Sequence, residues 1–275
     1  MKKNNFVKII DLALKEDIGS GDITANLISN SSRSCAYIVS QQIAVICGVE
    51  VVDAVFAKID PKIKIKWFVQ DADEVSEKQV LCELHGPTRS LLIGERTALN
   101  FLQTLSSTAT LTKQFVRKIR GTKAKLLDTR KTLPGLRLLQ KYAVKCGGGQ
   151  NHRFGLYDAV LIKENHIAAC GSITKAIAKA KKLYPKKTVE VEVRNLKEFR
   201  EALISAADII MLDNFSLKSI GSAVKANKGK AKLEISGGVS LETISSFAKT
   251  GVDYISVGAV TKTLIPIEFS MLFEM

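Results

Sequence analysis

Cysteine is sparse in this chain and arranged for nothing obvious. The five residues Cys35, Cys47, Cys82, Cys146 and Cys170 are odd in number and show no CxxC spacing. That argues against both a disulfide framework and a zinc site, and for a reducing compartment. No segment is long and apolar enough to cross a bilayer, and the opening MKKNNFVKII lacks the apolar stretch and cleavage site of a signal peptide. The expectation is a cytoplasmic protein with no membrane partner. Prolines number five in 275 residues, and 46% of the residues are hydrophobic, an ordinary globular composition with length enough for a sizeable core in one large or two modest domains.

Acids are also short. The chain carries 41 Lys and Arg against 27 Asp and Glu, a net charge of +14. Most of the excess is local: between Lys113 and Arg153 there are twelve basic residues and one acid, Asp128. A nucleic-acid binder can carry such a stretch. Those proteins, however, interleave aromatics for base stacking, and this window offers only Phe115 and Tyr142. Elsewhere, the KAIAKAKKLYPKK run from Lys175 to Lys187 reads as a solvated helix face.

From residue 125 onward short runs rich in β-branched residues recur: AKLLDT, DAVLIKEN, TVEVEV, ADIIMLDN, AKLEISGG and VDYISVGA. Helix-like segments separate them, which is the pattern of βα units with parallel strands. Each run ends in polar or glycine residues, and in closed α/β barrels those strand ends build the active site. The fold expected is α/β, an incomplete TIM-like βα barrel with a smaller N-terminal α+β domain. In that first part FVKIIDLALKED and VEVVDAVFAKI read as helices, and AYIVSQQIAVICG, IKIKWFVQ and KQVLCELHG as mainly antiparallel strands. A long helical stretch, LLIGERTALNFLQTLSSTATLTKQFVRKI, leads onward. The expected division is 1–108 and 109–263, with the apolar tail 264–275 packing back on the body.

The strand ends form a chemical set. Arg130, Lys131, His152, Arg153 and Lys163 are cationic or can become so, and Glu192 and Asp213 are anionic. Arg forks pair with carboxylates or phosphates, Lys supplies a point charge, and Mg²⁺ takes one or two carboxylates plus substrate phosphates. The turns at Ser236, Gly237 and Gly238 and at Val257, Gly258 and Ala259 let backbone N–H groups approach phosphate oxygens. Plainer readings stand beside these. A Gly-Gly after a strand is often only a turn. Glu190, Glu192 and Arg194 alternate with valines, so they either face solvent or point into a barrel, where charge needs a partner. The helix expected from Pro134 carries a basic stripe, Arg137, Lys141 and Lys145, that suits a surface or partner-facing edge as well as a ligand site.

The block DTRKTLPGLRLLQKYAVKCGGGQNHRFGLYDAVLIKENHI resembles the signature of the quinolinate phosphoribosyltransferases, and the resemblance extends through KEDIGSGDIT, ERTALNFLQTLS, VEVEV, IIMLDN, EISGGVS and ISVGAVT. It implies transfer of a phosphoribosyl group from phosphoribosyl pyrophosphate to quinolinate with decarboxylation, in NAD biosynthesis, with Mg²⁺ as cofactor. It also implies a homodimer, or a hexamer assembled from dimers, with no nucleic-acid partner. By the same resemblance, Arg130, His152 and Arg153 take the quinolinate carboxylates, with Arg96 reaching in from the neighbouring subunit. The helix that carries Arg96 has apolar positions, Leu99, Phe101 and Leu102, that suit packing at a domain or subunit contact. Thr129 lies in the same substrate-binding stretch, and Lys131 and Lys163 sit between the carboxylates and the pyrophosphate. Glu192 and Asp213 hold ribose hydroxyls and Mg²⁺, and with the two lysines they form the catalytic set. Ser236, Gly237, Gly238, Val257, Gly258 and Ala259 bind the 5′-phosphate.

The chain departs from the family pattern in places. LSSTAT stands where LSGIAT is usual, Thr104 stands where histidine is common, and DADEVSEKQVL lacks two glycines of that turn. Two alternatives to the reading are a paralogous protein of molybdenum-transport operons and, in a different class, a basic nucleic-acid binder.

Overall fold

The computed structural model describes residues 6–274. They cluster into two compact units. The first takes the chain up to Lys113, then Thr132–Gly148, then Val260 onward; the second takes Gln114–Lys131 and Gly149–Ala259. In chain order the elements are α1 (Val7–Ile18), β1 (Arg33–Ser40), β2 (Ala44–Val45), α2 (Val49–Ile59), β3 (Lys64–Trp67), β4 (Glu74–Val75), β5 (Val80–Pro87) and α3 (Thr88–Lys118). Next come β6 (Lys125–Leu127), α4 (Arg137–Cys146), β7 (Val160–Ile162), α5 (Glu164–Cys170), α6 (Ile173–Leu183), β8 (Val189–Val193) and α7 (Leu196–Ile204). The chain ends with β9 (Ile209–Asp213), α8 (Leu217–Asn227), β10 (Lys232–Ser236), α9 (Ile244–Ala248), β11 (Tyr254–Ser256), α10 (Ala259–Lys262) and β12 (Phe269–Phe273).

The first unit is built on an antiparallel sheet of order β12-β1-β5-β3. Strand alternation puts Ala36, Ile38, Leu84 and Met271 into its core, where they join Val52, Val55 and Phe56 of α2 and Leu99, Leu102 and Leu105 of α3. Burying each such side chain contributes roughly 1.5–3 kcal/mol. Leu139 and Ala143 of α4 belong to the same core. That helix starts at Arg137 rather than at Pro134, because residues 134–136 form a turn. Its basic stripe is not one face: Lys141 is fully buried, whereas Lys145 is exposed.

The departures from the family pattern have local structural meanings here. LSSTAT differs from LSGIAT at Ser107 and Thr108: Ser107 Oγ accepts the Ile265 N–H at 3.2 Å, and Thr108 Oγ1 accepts a Gln140 Nε2–H at 3.4 Å. The added hydroxyls thus satisfy donors of neighbouring segments. In DADEVSEKQVL, Ala72 (φ 78°) and Lys78 (φ 62°) occupy left-handed backbone. Both N–H groups are paired, to Ile46 O at 2.8 Å and Ser40 O at 2.7 Å, so the turn holds its shape without glycine.

The second unit is a six-stranded parallel sheet of order β6-β11-β10-β9-β8-β7. The edge strands β6 and β7 do not pair. A single bridge from Leu127 to Gln150 extends the β6 side, and the barrel stays open. Each β-branched run of the sequence supplies one strand. Helices restart soon after the strand ends because polar residues cap them. Asn195 accepts the N–H groups of Lys197 and Glu198 at 3.0 Å each, and Ser216 accepts that of Ser219 at 3.2 Å. Val191, Val193, Ile210, Leu212, Leu233, Ile235 and Ile255 are buried along the strands, with Phe199 and Ile220 from the helices. The architecture is therefore the α/β one expected, an unclosed βα barrel with a smaller mixed N-terminal α+β domain, to which α4 and the C-terminal strand add.

A non-glycine residue in left-handed backbone costs about 1–2 kcal/mol, and glycine's extra freedom in the unfolded chain costs back about 0.4–1 kcal/mol. Ala72→Gly should therefore raise stability by about 0.5–1 kcal/mol in urea denaturation. A lower midpoint than wild type would refute this account of the turn.

Candidate active site

The C-terminal ends of the parallel strands surround a cavity of about 170 Å³. Thr129, Arg130, Lys131, His152, Arg153, Lys163, Glu192 and Ser236 of the sequence-derived set line it. Asp213 ends β9, beside Glu192's strand, without lining it. Gly258 stands just behind: a Cβ there would lie 3.2 Å from Lys131 Cδ and 3.6 Å from Thr129 Oγ1. Gly237 adopts φ +90°, and an added Cβ would meet the Asn214 side chain at 2.1 Å, so the turn after β10 admits only glycine. Gly238, Val257 and Ala259 fall in the strand-end turns without lining the cavity.

Arg96 is not brought into the cavity. It is an exposed residue of α3, in the first unit. Leu99, Phe101 and Leu102 nearby, whose pattern suited a domain or subunit contact, are buried in the first unit's own core.

The loop carrying His152 and Arg153 is tied to the end of β6 by one buried acid. Asp128 is fully buried. It accepts the Asn151 Nδ2–H at 2.6 Å and the His152 backbone N–H at 2.9 Å. Asp158 similarly accepts the N–H groups of Phe154 and Gly155 at 2.6 and 3.0 Å. Lys163, directly after β7, ion-pairs with Glu192 of β8. Arg153 feels burial first and then the like charge of Arg130, and both push its pKa down. Two guanidiniums held close and partly out of water make a site for an anion.

Two acids that sequence reasoning did not single out as site residues stand behind these cations. Glu190 is 3% exposed and Glu234 is fully buried. His152 Nε2 lies 2.7 Å from Glu190 Oε2 and 3.7 Å from Glu234 Oε2. Burial first, and then the charge of Glu190, push the Glu234 carboxyl up to about 8, against the opposing pull of His152. The signal for Glu190 was present in VEVEV but ambiguous. That for Glu234 was a lone acid in an apolar run.

A larger cavity of about 670 Å³ lies against α6 and β7, with Leu156, Tyr157, Leu183 and Tyr184 in its wall. Arg153, His166, Lys179 and Lys187 also line it, but among the described residues no acid does, and the smaller cavity is the one that brings acids and cations together.

Comparison with known proteins agrees with this geometry. The family model "Quinolinate phosphoribosyl transferase, N-terminal domain" matches residues 22–106, and its C-terminal counterpart matches residues 108–272. A probable nicotinate-nucleotide pyrophosphorylase (carboxylating) of Bacillus subtilis is 41% identical over 96% of this chain and 92% of its own. One from Methanocaldococcus jannaschii is also 41% identical, over 98% of each. The solved nicotinate-nucleotide pyrophosphorylase of Francisella tularensis superposes with a TM-score of 0.98 at 48% identity, covering 100% of this chain and 98% of that one. The fold and the strand-end site are those of a phosphoribosyl-transferring enzyme. The chain belongs to the quinolinate phosphoribosyltransferase family.

The raised Glu234 carboxyl has a consequence for stability. Folding favours its protonated form, so its contribution is fully present below the ordinary carboxyl range near about 4.3 and is lost as pH rises through about 8. Glu234→Gln, which stays neutral, should lack that loss. Urea midpoints at pH 5 and pH 9 should converge in the variant relative to wild type, and an unchanged pH dependence would count against the raised value.

Proposed function

We propose that the protein transfers the phosphoribosyl group of phosphoribosyl pyrophosphate to the ring nitrogen of quinolinate. Pyrophosphate and CO₂ are released and nicotinate mononucleotide is formed, a step of de novo NAD biosynthesis. One observation carries this reading: Arg130, Lys131, His152, Arg153 and Lys163 converge on one cavity together with Glu192. Quinolinate brings two carboxylates and its co-substrate several phosphate charges, and such a cavity gathers both. A nucleic-acid binder would spread its cations over a surface. The relatives that match nearly the whole chain are named as pyrophosphorylases, which favours this reading over the molybdenum-operon paralogue.

In this reading Arg130, His152 and Arg153 bind the carboxylates and set the pyridine ring, with Thr129 beside them. Lys131 and Lys163 face the leaving pyrophosphate. Glu192 and Asp213 hold the ribose hydroxyls and stabilise the positive charge that develops on the sugar as the ring nitrogen attacks the anomeric carbon. Ser236, Gly237, Gly238, Val257, Gly258 and Ala259 offer backbone N–H groups to the 5′-phosphate. The N-ribosylated ring is a cation, so loss of CO₂ from the adjacent carbon leaves a carbanion that the nitrogen stabilises. No covalent nucleophile is required.

The donor set also fits a magnesium ion. Glu192 and Asp213 put two carboxylates at the ends of adjacent strands, and Mg²⁺ favours such a pair completed by substrate phosphates and water. When bound there, the ion would neutralise charge on the departing pyrophosphate. Lys163, which pairs with Glu192 in the ligand-free chain, would then be available to the phosphates.

The 108/109 division keeps every candidate residue but Arg96 in the second part. Among the described residues no helix is long and apolar enough to cross a membrane. All five cysteines are free thiols, which suits a cytoplasmic setting. For Arg96 the proposal is action in trans within a homodimer, as its exposed place on α3 allows.

Two measurements test these assignments. Pyrophosphate release should be seen with quinolinate. With nicotinate, kcat/KM should be at least about a hundredfold lower, because one carboxylate leaves part of the cationic cluster unpaired. Comparable turnover of nicotinate would sink the reading. Arg96→Ala and Lys163→Ala should each be inactive yet recover about a quarter of wild-type activity when mixed and allowed to exchange subunits, since a mixed dimer holds one intact site. No recovery after verified exchange would exclude action in trans.

A further inference from the structure

Glu234 is the least explained group in the molecule. It is fully buried, neither of its carboxylate oxygens has a hydrogen-bond partner, and Oε1 of buried Glu190 is in the same position. Two buried acids left in this way would be costly unless something nearby compensates their charge. The atoms of His152, Glu190 and Glu234 lie within 4.8 Å of one another. One proton on the Glu190–Glu234 carboxyl pair and a positive charge on His152 bring the cluster to zero.

The ring chemistry of His152 points the same way. Its Nε2 faces Glu190 at 2.7 Å, and opposite a carboxylate oxygen it is Nε2 that carries the hydrogen of such a bond. A neutral ring held thus has only a lone pair at Nδ1, which repels a carboxylate. The imidazolium has a second N–H to donate. We propose that Glu190 and Glu234 are positioning residues that hold His152 by its Nε2, as an imidazolium, to receive one carboxylate of the pyridine dicarboxylate. This rests on the proposed function for its substrate, though not for the state of the ring. The other charged groups around His152 are Asp128, Arg130 and Lys131 at the end of β6, Arg153 beside it, Lys163 after β7 and Glu192 on β8. Asp128 accepts the backbone N–H of His152, and Glu190 is bonded to the ring. The role of Glu234 is to close the charge balance while protonated. On ionising, it adds negative charge behind the carboxylate site.

Nitrogen-15 NMR of the full-length, ligand-free protein reads the ring directly, because the chain has only three histidines, His85, His152 and His166, and His152→Gln assigns the signal. At pH 7.5 both nitrogens of His152 should be protonated, although an unperturbed histidine titrates near about 6.5. In Glu190→Gln the ring should be neutral at that pH, and KM for quinolinate should rise by about tenfold or more while KM for phosphoribosyl pyrophosphate moves less than about threefold. In wild type, KM for quinolinate should climb above pH 8, and in Glu234→Gln that climb should vanish. A neutral His152 in the wild-type protein at pH 7.5 overturns the proposal, even if Glu190→Gln does not fold. Equal shifts of both KM values in a folded Glu190→Gln overturn it as well. Were quinolinate not turned over at all, the proposed function would fall while the NMR arm still decided the ring's state.

Discussion

Like charges gather in a cavity only when acids are fixed behind them. Here that condition is met by Asp128 and Glu190, both buried, the latter beside the Glu234 carboxyl, and the rest of the site depends on them. Asp128 matters most for position. Its two hydrogen bonds attach the Asn151–His152 loop to the end of β6, so that Arg130 and Arg153 stay neighbours despite their mutual repulsion. Glu190 then engages the His152 ring, and Glu192, two residues on, engages Lys163. Successive acids on one strand therefore serve two different cations, one deep in the cavity and one at its rim.

The open sheet is what makes this arrangement accessible. The parallel strands present their C-terminal ends together, and side chains of similar depth line up in register: Glu192, Met211 and Glu234 are partners across β8, β9 and β10. A buried row of this kind carries charge only where it faces the ligand cavity, and the valines and isoleucines on either side keep the remainder dry.

How much of this was legible in the sequence follows from what each signal encodes. The β-branched runs gave all six parallel strands, since such strands are buried on both faces and need no alternation. The polar residues closing each run marked the strand ends, and Thr129, Arg130, Lys131, Lys163, Glu192 and Ser236 among them line the cavity. Glu190 and Glu234 were hidden. In VEVEV an inward and a solvent-facing glutamate look alike, and Glu234 acquires meaning only through its register with Met211 and its distance to His152. Leu99, Phe101 and Leu102 pointed to an interface because an amphipathic stripe does not name its partner. β4 is only two residues long, below what any pattern can mark. The start of α4 was set too early because Pro134 is a common first helical residue and also a common turn residue.

The partner of α4 has a consequence for how such a chain can be recombined. Its Leu139 and Ala143 are part of the core shared by α2, α3 and the first sheet, although the helix follows β6 in the chain. A chimera spliced near residue 108 would draw most of that core from one parent and α4 from the other. Its fit would then be decided by whether two independently diverged sets of apolar side chains still interlock. Exchange of the Thr132–Gly148 segment and of the chain from Val260 onward, together with the N-terminal part, would keep that core within a single lineage. The boundary that respects packing is a set of four cuts rather than one.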